Sequence, residues 1–184
     1  MPVEKVMAAD LVAKFERLHV KPAAGRTLIV GSRLYGQRDD RRACYPNAVG
    51  VDMLPGPGVD IVANLESASE AQALGQFDHI ECLSVLEHSR APWKMAANLE
   101  GLLRTGGTFY LSVPFIWRPH GYPDDYWRFT MSGVVELFPR IGWASLMYAH
   151  TKLTPKNLVA YGGEDESGCP LMPRTQVLGF GARA

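Results

Sequence analysis

Residues 77–114 read FDHIECLSVLEHSRAPWKMAANLEGLLRTGGTFYLSVP, and they carry the clearest indication of the fold class. Two short apolar runs, His79–Leu83 and Thr108–Val113, have the length and composition of strands that are covered on both faces. Between them, Pro92 suits the first turn of a helix and Gly106–Gly107 suits its end. The apolar stripe of this helix consists of Met95, Leu99, Leu102 and Leu103. The stretch therefore predicts a strand, a helix and a second strand.

The rest of the chain repeats this alternation. Further strand-like runs lie at Thr27–Val30, Ala48–Val51 and Val59–Ala63, and residues 3–19 have the apolar spacing of an amphipathic helix. Thr130 is expected to cap a short helix that carries Val134, Val135, Leu137 and Phe138. Ala144–Ala149 and Gln176–Gly181 are predicted to pair as a closing antiparallel hairpin. The pattern predicts an α/β fold, a doubly wound, mostly parallel sheet in three αβα layers, forming one domain over residues 1–184.

Composition excludes several classes of protein. The chain has 184 residues, of which 47% are apolar and 21% charged, so it is too apolar for a disordered chain. Lys+Arg and Asp+Glu are 19 each, so there is no overall basic charge to hold nucleic acid, and none is expected as a partner. The cluster Arg33, Arg38, Arg41 and Arg42 is interrupted by Asp39 and Asp40, which is typical of a solvated face.

The cellular compartment is predicted from what the sequence lacks. No apolar run approaches the roughly 18–20 residues of a membrane span, and residues 1–20 lack the apolar core of a signal peptide. Cys44, Cys82 and Cys169 are far apart and odd in number, which argues against a disulfide framework. We therefore expect a cytoplasmic protein. The five histidines show no metal-ligand spacing, and no metal is expected.

Two features near the first strands indicate a nucleoside ligand. Gly31 follows the first strand, where parallel sheets bind ligands, although the glycine spacing is neither the dinucleotide nor the P-loop pattern. Asp52 stands 21 residues after Gly31, at the tip of the second strand, where a carboxylate can accept hydrogen bonds from ribose hydroxyls. An ordinary turn glycine and a solvent-facing acid are the alternatives.

The stretch 77–88, with its FD…VLEH pattern, resembles the fourth-strand segment of class I S-adenosylmethionine-dependent methyltransferases, in the branch called type 11. Leu103–Pro114 resembles the LKPGG…L…VP passage of the same family, and the resemblance extends over residues 27 to about 138. In the first turn the chain departs from the family pattern, because the acid before the first glycine and the middle glycine are absent. The resemblance implies a Rossmann-like methyltransferase fold and S-adenosylmethionine as the cofactor.

The resemblance also implies roles for individual residues. Asp52 would hold the ribose, Met53 would pack on the adenine, and Asn64 and Leu65 would lie at the adenine edge. The other cofactor-binding residues implied are Gly31, Ser32 and Gly36 in the first turn and Leu83 and Ser84 after the fourth strand. His88 closes the LEH turn, where it either orders the loop by hydrogen bonding or moves a proton. Glu87 is expected to be a helix-start acid.

The loop after the fifth strand, residues 114–129, contains six aromatic residues and three prolines. Because it leaves the carboxyl end of a central strand, it is expected to meet the substrate. His120 is the first candidate for a general base and Asp125 the second. Trp127 and Phe129 are expected to anchor the loop. The predicted substrate-binding residues are Trp117, Tyr122, Tyr126 and Arg128.

Three functions remain open at this point. The first is an S-adenosylmethionine-dependent methyltransferase that acts on a small molecule or saccharide. The second is a non-catalytic methyltransferase-like domain that binds a partner or assists an assembly. The third is an NAD-dependent oxidoreductase, because Asp52 also suits the ribose of NAD. The oligomeric state is not predicted.

Overall fold

The computed structural model describes residues 11–36, 39–117, 119–121, 124–149 and 176–184. Predictions that concern residues 3–10, Arg38, Tyr122 and Cys169 lie outside these residues. In chain order the helices are α1 (Leu11–His19), α2 (Ala68–Ala73), α3 (Pro92–Leu102) and α4 (Met131–Leu137), and 3₁₀ turns lie at Arg41–Cys44 and Leu86–His88. The strands are β1 (Thr27–Val30), β2 (Ala48–Asp52), β3 (Ile61–Val62), β4 (Phe77–Leu83), β5 (Leu103–Pro114), β6 (Ile141–Ala149) and β7 (Gln176–Arg183).

The strands form one seven-stranded sheet in the order β3-β2-β1-β4-β5-β7-β6. The first five are parallel, whereas β7 pairs antiparallel with both β5 and β6. This confirms the doubly wound sheet and the closing antiparallel hairpin. Because the order reverses between β1 and β4, a crevice opens beyond their carboxyl ends.

Alternation along β5 divides the core into two clusters. Phe109 and Leu111 pack with residues of α2, α3 and α4, whereas Tyr110 packs with Phe15 of α1. Successive strand residues point to opposite faces, so these contacts place α1 on one face of the sheet and the other three helices on the opposite face. The predicted three-layer arrangement is therefore confirmed.

The boundary between α3 and β5 differs from the prediction. The helix ends at Leu102, and Leu103 is already a fully buried strand residue that pairs with Phe77. Gly106 and Gly107 therefore lie inside the strand instead of ending the helix. Between the pairs Phe77–Leu103 and His79–Thr108 the register shifts, so five residues of β5 advance against two of β4. Gly106 has φ +76° in this irregularity, which explains the glycine.

Other elements agree with the predictions more closely. Thr130 caps α4 by accepting a hydrogen bond at its side chain from the backbone N–H of Gly133. The strand predicted at Val59–Ala63 is shorter, at Ile61–Val62. No helix in the described ranges is long and apolar enough to cross a membrane.

Candidate functional site

A cleft of about 430 Å³ opens at the carboxyl ends of β1, β2 and β4. Eight of the nine predicted cofactor-binding residues line it, namely Gly31, Gly36, Asp52, Met53, Asn64, Leu65, Leu83 and Ser84. The strand tips thus bring together residues that are more than 50 positions apart in the chain.

Ser32 is the exception among the nine predicted residues, because it does not line the cleft within the described part of the chain. Its side chain is buried against Gly50, where an added Cβ would lie 2.6 Å from Ser32 Oγ. An added Cβ on Gly58 would lie 2.4 Å from the Ser32 carbonyl oxygen. Ser32 therefore packs beneath the first turn. The sequence predicts that it faces the cleft, but the direction of a turn residue depends on its neighbours in space.

The first turn requires glycine at two places. Gly31 has φ +68° and Gly36 has φ +64°, a conformation that other residues adopt at a cost. An added Cβ on Gly31 would lie 2.5 Å from Cγ2 of Val85, which comes just after β4. The Gly31 N–H donates to the carbonyl oxygen of Val51, at 2.9 Å. The turn therefore lies directly against the tips of β2 and β4 and forms one wall of the cleft.

The carboxylate of Asp52 is oriented by the backbone on both of its oxygens. Oδ2 accepts from the N–H of Arg33 at 3.2 Å, and Oδ1 accepts from the N–H of Leu54 at 3.0 Å. Each oxygen has a further lone pair, so this carboxylate can still accept hydrogen bonds from a ligand in the cleft. Beside it, the exposed side chains of Met53 and Leu54 add apolar surface to the same wall.

Ser84, immediately after β4, has a strained backbone. Its φ is +55°, the only positive value for a non-glycine residue in the described ranges. The Ser84 N–H donates to the Ser112 carbonyl oxygen at 2.8 Å, which holds this conformation against β5. Strained residues of this kind concentrate at functional sites, and Ser84 lines the cleft.

Glu87, His88 and His120 meet at one side of the cleft, and we call them the Glu–His–His cluster. Glu87 is 1% exposed, and its Oε1 lies 3.8 Å from Nε2 of His88 and 4.0 Å from Nε2 of His120. The two imidazole rings are in edge contact, with centroids 4.9 Å apart. Both histidines line the cleft. Glu87 lies in the first turn of the 3₁₀ helix Leu86–His88, as the predicted helix-start acid, and it is also a buried acid that faces two histidines.

The loop behind His120 is held by an ion pair. Arg128 donates to both carboxylate oxygens of Asp125, at 2.6 and 2.7 Å, and also to the carbonyl oxygen of Trp117. The Arg128 guanidinium, followed by the backbone N–H of His120, holds the pKa of Asp125 well below its usual range. Nδ1 of His120 lies 3.1 Å from Oδ2 of Asp125. Asp125 is thus a poor proton acceptor, and its geometry is that of a group that orients His120, contrary to its prediction as a second base.

Comparison with known proteins gives matches by structure alone, since no family model and no curated sequence matches the chain. The 1,6-didemethyltoxoflavin-N1-methyltransferase of Burkholderia thailandensis, crystallised with 1,6-didemethyltoxoflavin and S-adenosylhomocysteine, is 17% identical with a TM-score of 0.60, over 94% of this chain and 76% of its own. An S-adenosylmethionine-dependent methyltransferase from Anabaena variabilis is 12% identical with a TM-score of 0.62, over 97% and 85%. Another, from Mesorhizobium loti, is 12% identical with a TM-score of 0.61, over 96% and 100%.

The chain has the class I S-adenosylmethionine-dependent methyltransferase fold. In this methyltransferase fold the cleft lies at the switch point of the sheet, between the first turn and the tip of β4.

In the loop after β5 of this methyltransferase fold, the predicted anchoring residues are confirmed, whereas the predicted substrate-binding residues lie elsewhere than in the cleft. Phe129 is buried and the Trp127 indole N–H donates to the Ser89 carbonyl oxygen, so both anchor the loop as predicted. The predicted substrate residues that the structure describes do not line the cleft; these are Trp117, Tyr126 and Arg128. Tyr126 instead donates to Asp124 and accepts from Arg90, at the exposed surface.

Sequence reasoning missed the buried carboxylate of Glu87 and the lining residues Tyr35, Glu66 and Met95. Glu66 Oε1 accepts from the hydroxyl of Ser89 and the N–H of Arg90, which ties the segment after β3 to the LEH turn. A usable signal existed for Glu87, since it lies four residues past the tip of β4 and next to His88. No such local signal exists for its contact with His120, 33 residues away.

Proposed function

We propose that this chain is an S-adenosylmethionine-dependent methyltransferase that acts on a small-molecule acceptor, of which a saccharide is one kind. The observation that carries this proposal is the cleft at the switch point, with the backbone-oriented carboxylate of Asp52 beside an apolar wall. When bound, S-adenosylmethionine supplies an electrophilic methyl group on a positively charged sulfur.

The residues of the cleft fit such a group in chemical type. Asp52 offers charge-assisted hydrogen bonds to ribose hydroxyls, and Met53 and Leu54 offer apolar surface to the base. The glycine turn offers close backbone approach to the amino-acid end, since an added Cβ on Gly36 would meet no atom within 4 Å among the described residues other than its chain neighbours. These features support the proposal even though the first turn lacks the acid and the middle glycine of the family pattern.

His120 is proposed to receive the acceptor's proton. Asp125 is held as a carboxylate by Arg128 and lies 3.1 Å from Nδ1 of His120, and this nearby negative charge favours the imidazole proton on that nitrogen. Nε2 of His120 then has a free lone pair toward the cleft. As the acceptor oxygen would gain the methyl group, the bond from sulfur to that methyl would break to leave a neutral thioether, and the hydroxyl proton would pass to this nitrogen.

Ligand binding tests the proposal directly. Calorimetric titration of the full chain is expected to show saturable binding of S-adenosylmethionine and S-adenosylhomocysteine, and no binding of NAD. Asp52→Asn should weaken binding of both by about 10- to 100-fold, because a charge-assisted hydrogen bond contributes about 1.5–3 kcal/mol. The matched control is Glu136→Gln, an exposed acid on α4, which should bind as the wild type does.

Two outcomes would contradict the proposal. Binding of NAD in place of the two sulfur compounds would support the oxidoreductase. Absence of binding by all three, in protein that melts cooperatively, would support the non-catalytic domain.

A further inference from the structure

The atoms that converge in the Glu–His–His cluster are all electron-pair donors. Oε1 of Glu87 and Nε2 of both His88 and His120 lie at one point beside the cleft, and one donor atom from each of the three residues lies within 4.8 Å of the others. The separations of 3.8 and 4.0 Å between Nε2 and Oε1 are too long for direct hydrogen bonds. The cluster therefore presents three electron-pair donor atoms, one from each residue, around one small volume.

The groups next to the Nδ1 atom of each histidine determine which ring nitrogen carries the proton. Nδ1 of His88 lies 2.6 Å from the carbonyl oxygen of Asp124, which can only accept, so this nitrogen is the donor. Nδ1 of His120 lies 3.1 Å from Oδ2 of Asp125 without the geometry of a hydrogen bond. Because this carboxylate is nearer than the Glu87 carboxylate, which lies 4.0 Å from Nε2, electrostatic attraction favours the proton of the neutral ring on Nδ1. In the neutral rings both Nε2 atoms consequently hold lone pairs directed toward Glu87.

This arrangement is that of metal-binding histidines, which donate their second ring N–H to a carboxylate or a backbone carbonyl. Here Nδ1 of His88 donates to the carbonyl oxygen of Asp124, Nδ1 of His120 faces the carboxylate of Asp125, and Arg128 holds that carboxylate in turn. We propose that Glu87, His88 and His120 bind one divalent transition-metal ion at the side of the cleft.

The donor set indicates the class of ion. Two imidazoles and one carboxylate suit Zn²⁺, Fe²⁺, Mn²⁺, Co²⁺ or Ni²⁺, whereas Mg²⁺ and Ca²⁺ prefer oxygen ligands. Neighbouring ligands at about 2.0–2.1 Å from such an ion lie about 3.0–3.5 Å apart. Because the donor atoms lie up to 4.8 Å apart, this requires an approach of roughly 1 Å, which His120 can make since it belongs to the loop and is partly exposed.

The site leaves coordination positions open toward the cleft, because both histidines line it. An acceptor hydroxyl that coordinated the ion would lose its proton more readily, and the proton would pass to solvent water in the open cleft, since Nε2 of His120 would then be a metal ligand. Metal binding itself is independent of the proposed methyl transfer and is measurable without cofactor or acceptor.

The test uses the full chain without an affinity tag, after treatment with a chelator. Titration with Co²⁺, followed by its visible absorption, is expected to saturate at one ion per chain, with Zn²⁺ displacing it and Mg²⁺ at the same concentration failing to do so. Glu87→Gln and His120→Gln should each weaken Co²⁺ binding at least tenfold, by removing a ligand. The control His19→Gln removes a histidine that bonds Ser145 on the far side of the molecule, and should leave binding unchanged.

Equal Co²⁺ affinity in the wild type and in both variants would overturn the proposal, as would a wild type with no saturable binding. If Glu87→Gln fails to melt cooperatively, His120→Gln alone decides, since that residue is on the loop surface. Titration of the same samples with S-adenosylhomocysteine separates the two proposals. Cofactor binding without Co²⁺ binding refutes only the metal site, and the reverse refutes only the methyltransferase.

Discussion

Gly31 shows how a single residue controls the shape of the cleft. Its positive φ turns the chain out of β1, and the absence of a Cβ lets the backbone lie against Val85. Gly36 has a similar φ, but its missing Cβ faces open space. A substitution at Gly36 therefore tests backbone strain alone, whereas the same substitution at Gly31 adds a steric contact with Val85.

Gly31→Ala is expected to lower the free energy of unfolding by about 2–4 kcal/mol, because strain in the left-handed region adds to a contact that must be relieved. Gly36→Ala, with the strain alone, should lose about 1–2 kcal/mol. Urea denaturation of both variants measures the difference. Equal losses would mean that Val85 yields to the added methyl group without cost.

At the scale of elements, the 3₁₀ turn at Arg41–Cys44 is fastened to the sheet by a buried charge. Arg41 donates to both oxygens of Glu81 in β4, at 2.6 and 2.7 Å, and the Tyr45 hydroxyl donates to the same carboxylate at 2.8 Å. Glu81 is 1% exposed, so its charge depends on these partners. The loop between β1 and β2 is thereby held over the sheet, on the side of α1.

Arg41→Met should lower the free energy of unfolding by about 3–5 kcal/mol, since it leaves a buried carboxylate without its cation. Arg42→Met is the matched control on the neighbouring residue, whose partners Asp40 and Asp60 are far more accessible to solvent than Glu81. It should cost at most about 1 kcal/mol. Chemical denaturation compares the two, and a similar loss in both would contradict the buried-charge explanation.

At the scale of the whole molecule, the free energy of unfolding depends on pH through several groups whose pKa values are all lower in the folded chain. Hydrogen bonds lower the pKa of Asp125 through Arg128, of Asp40 through Arg42, of Asp60 through the Gly50 N–H, and of Asp78 through the Arg26 N–H. Burial, above all, lowers the pKa of His79 from 6.5 to about 4, with Glu81 opposing and Arg41 adding to the effect. Each of these groups binds fewer protons in the folded chain than in the unfolded chain.

The free energy of unfolding is therefore expected to fall as the pH falls, by up to about 3 kcal/mol from His79 between pH 6.5 and about 4. Below about pH 4 the four aspartates account for the further fall in the free energy of unfolding. His79→Gln keeps a donor for Thr108 and should flatten the slope between pH 6.5 and 4 alone. Denaturation at several pH values measures the slope, and the same slope in wild type and variant would exclude His79 as its cause.

The local patterns of the sequence determined the strands, the order of elements and most of the cleft wall. Buried parallel strands are short apolar runs, and a residue that ends such a run lies at the sheet edge wherever the strand is placed, so Gly31, Asp52 and Leu83 were predictable. The start of β5 was not, because pairing of Leu103 with Phe77 outweighed the local signal of Gly106–Gly107 to end the helix.

How side chains from separate segments meet depends on the folded arrangement of the chain and was not predictable from local sequence. Glu87 and His120 are 33 residues apart, and the tautomer of each histidine depends on Asp124 and Asp125, which no periodicity links to them. Ser32 turned inward because Gly50, which lacks a Cβ, left room for its hydroxyl, and that hydroxyl has no hydrogen-bond partner among the described residues. Backbone preference acts within a few residues and shows in sequence, whereas the direction of a polar side chain is set by whichever partners folding brings within hydrogen-bond distance.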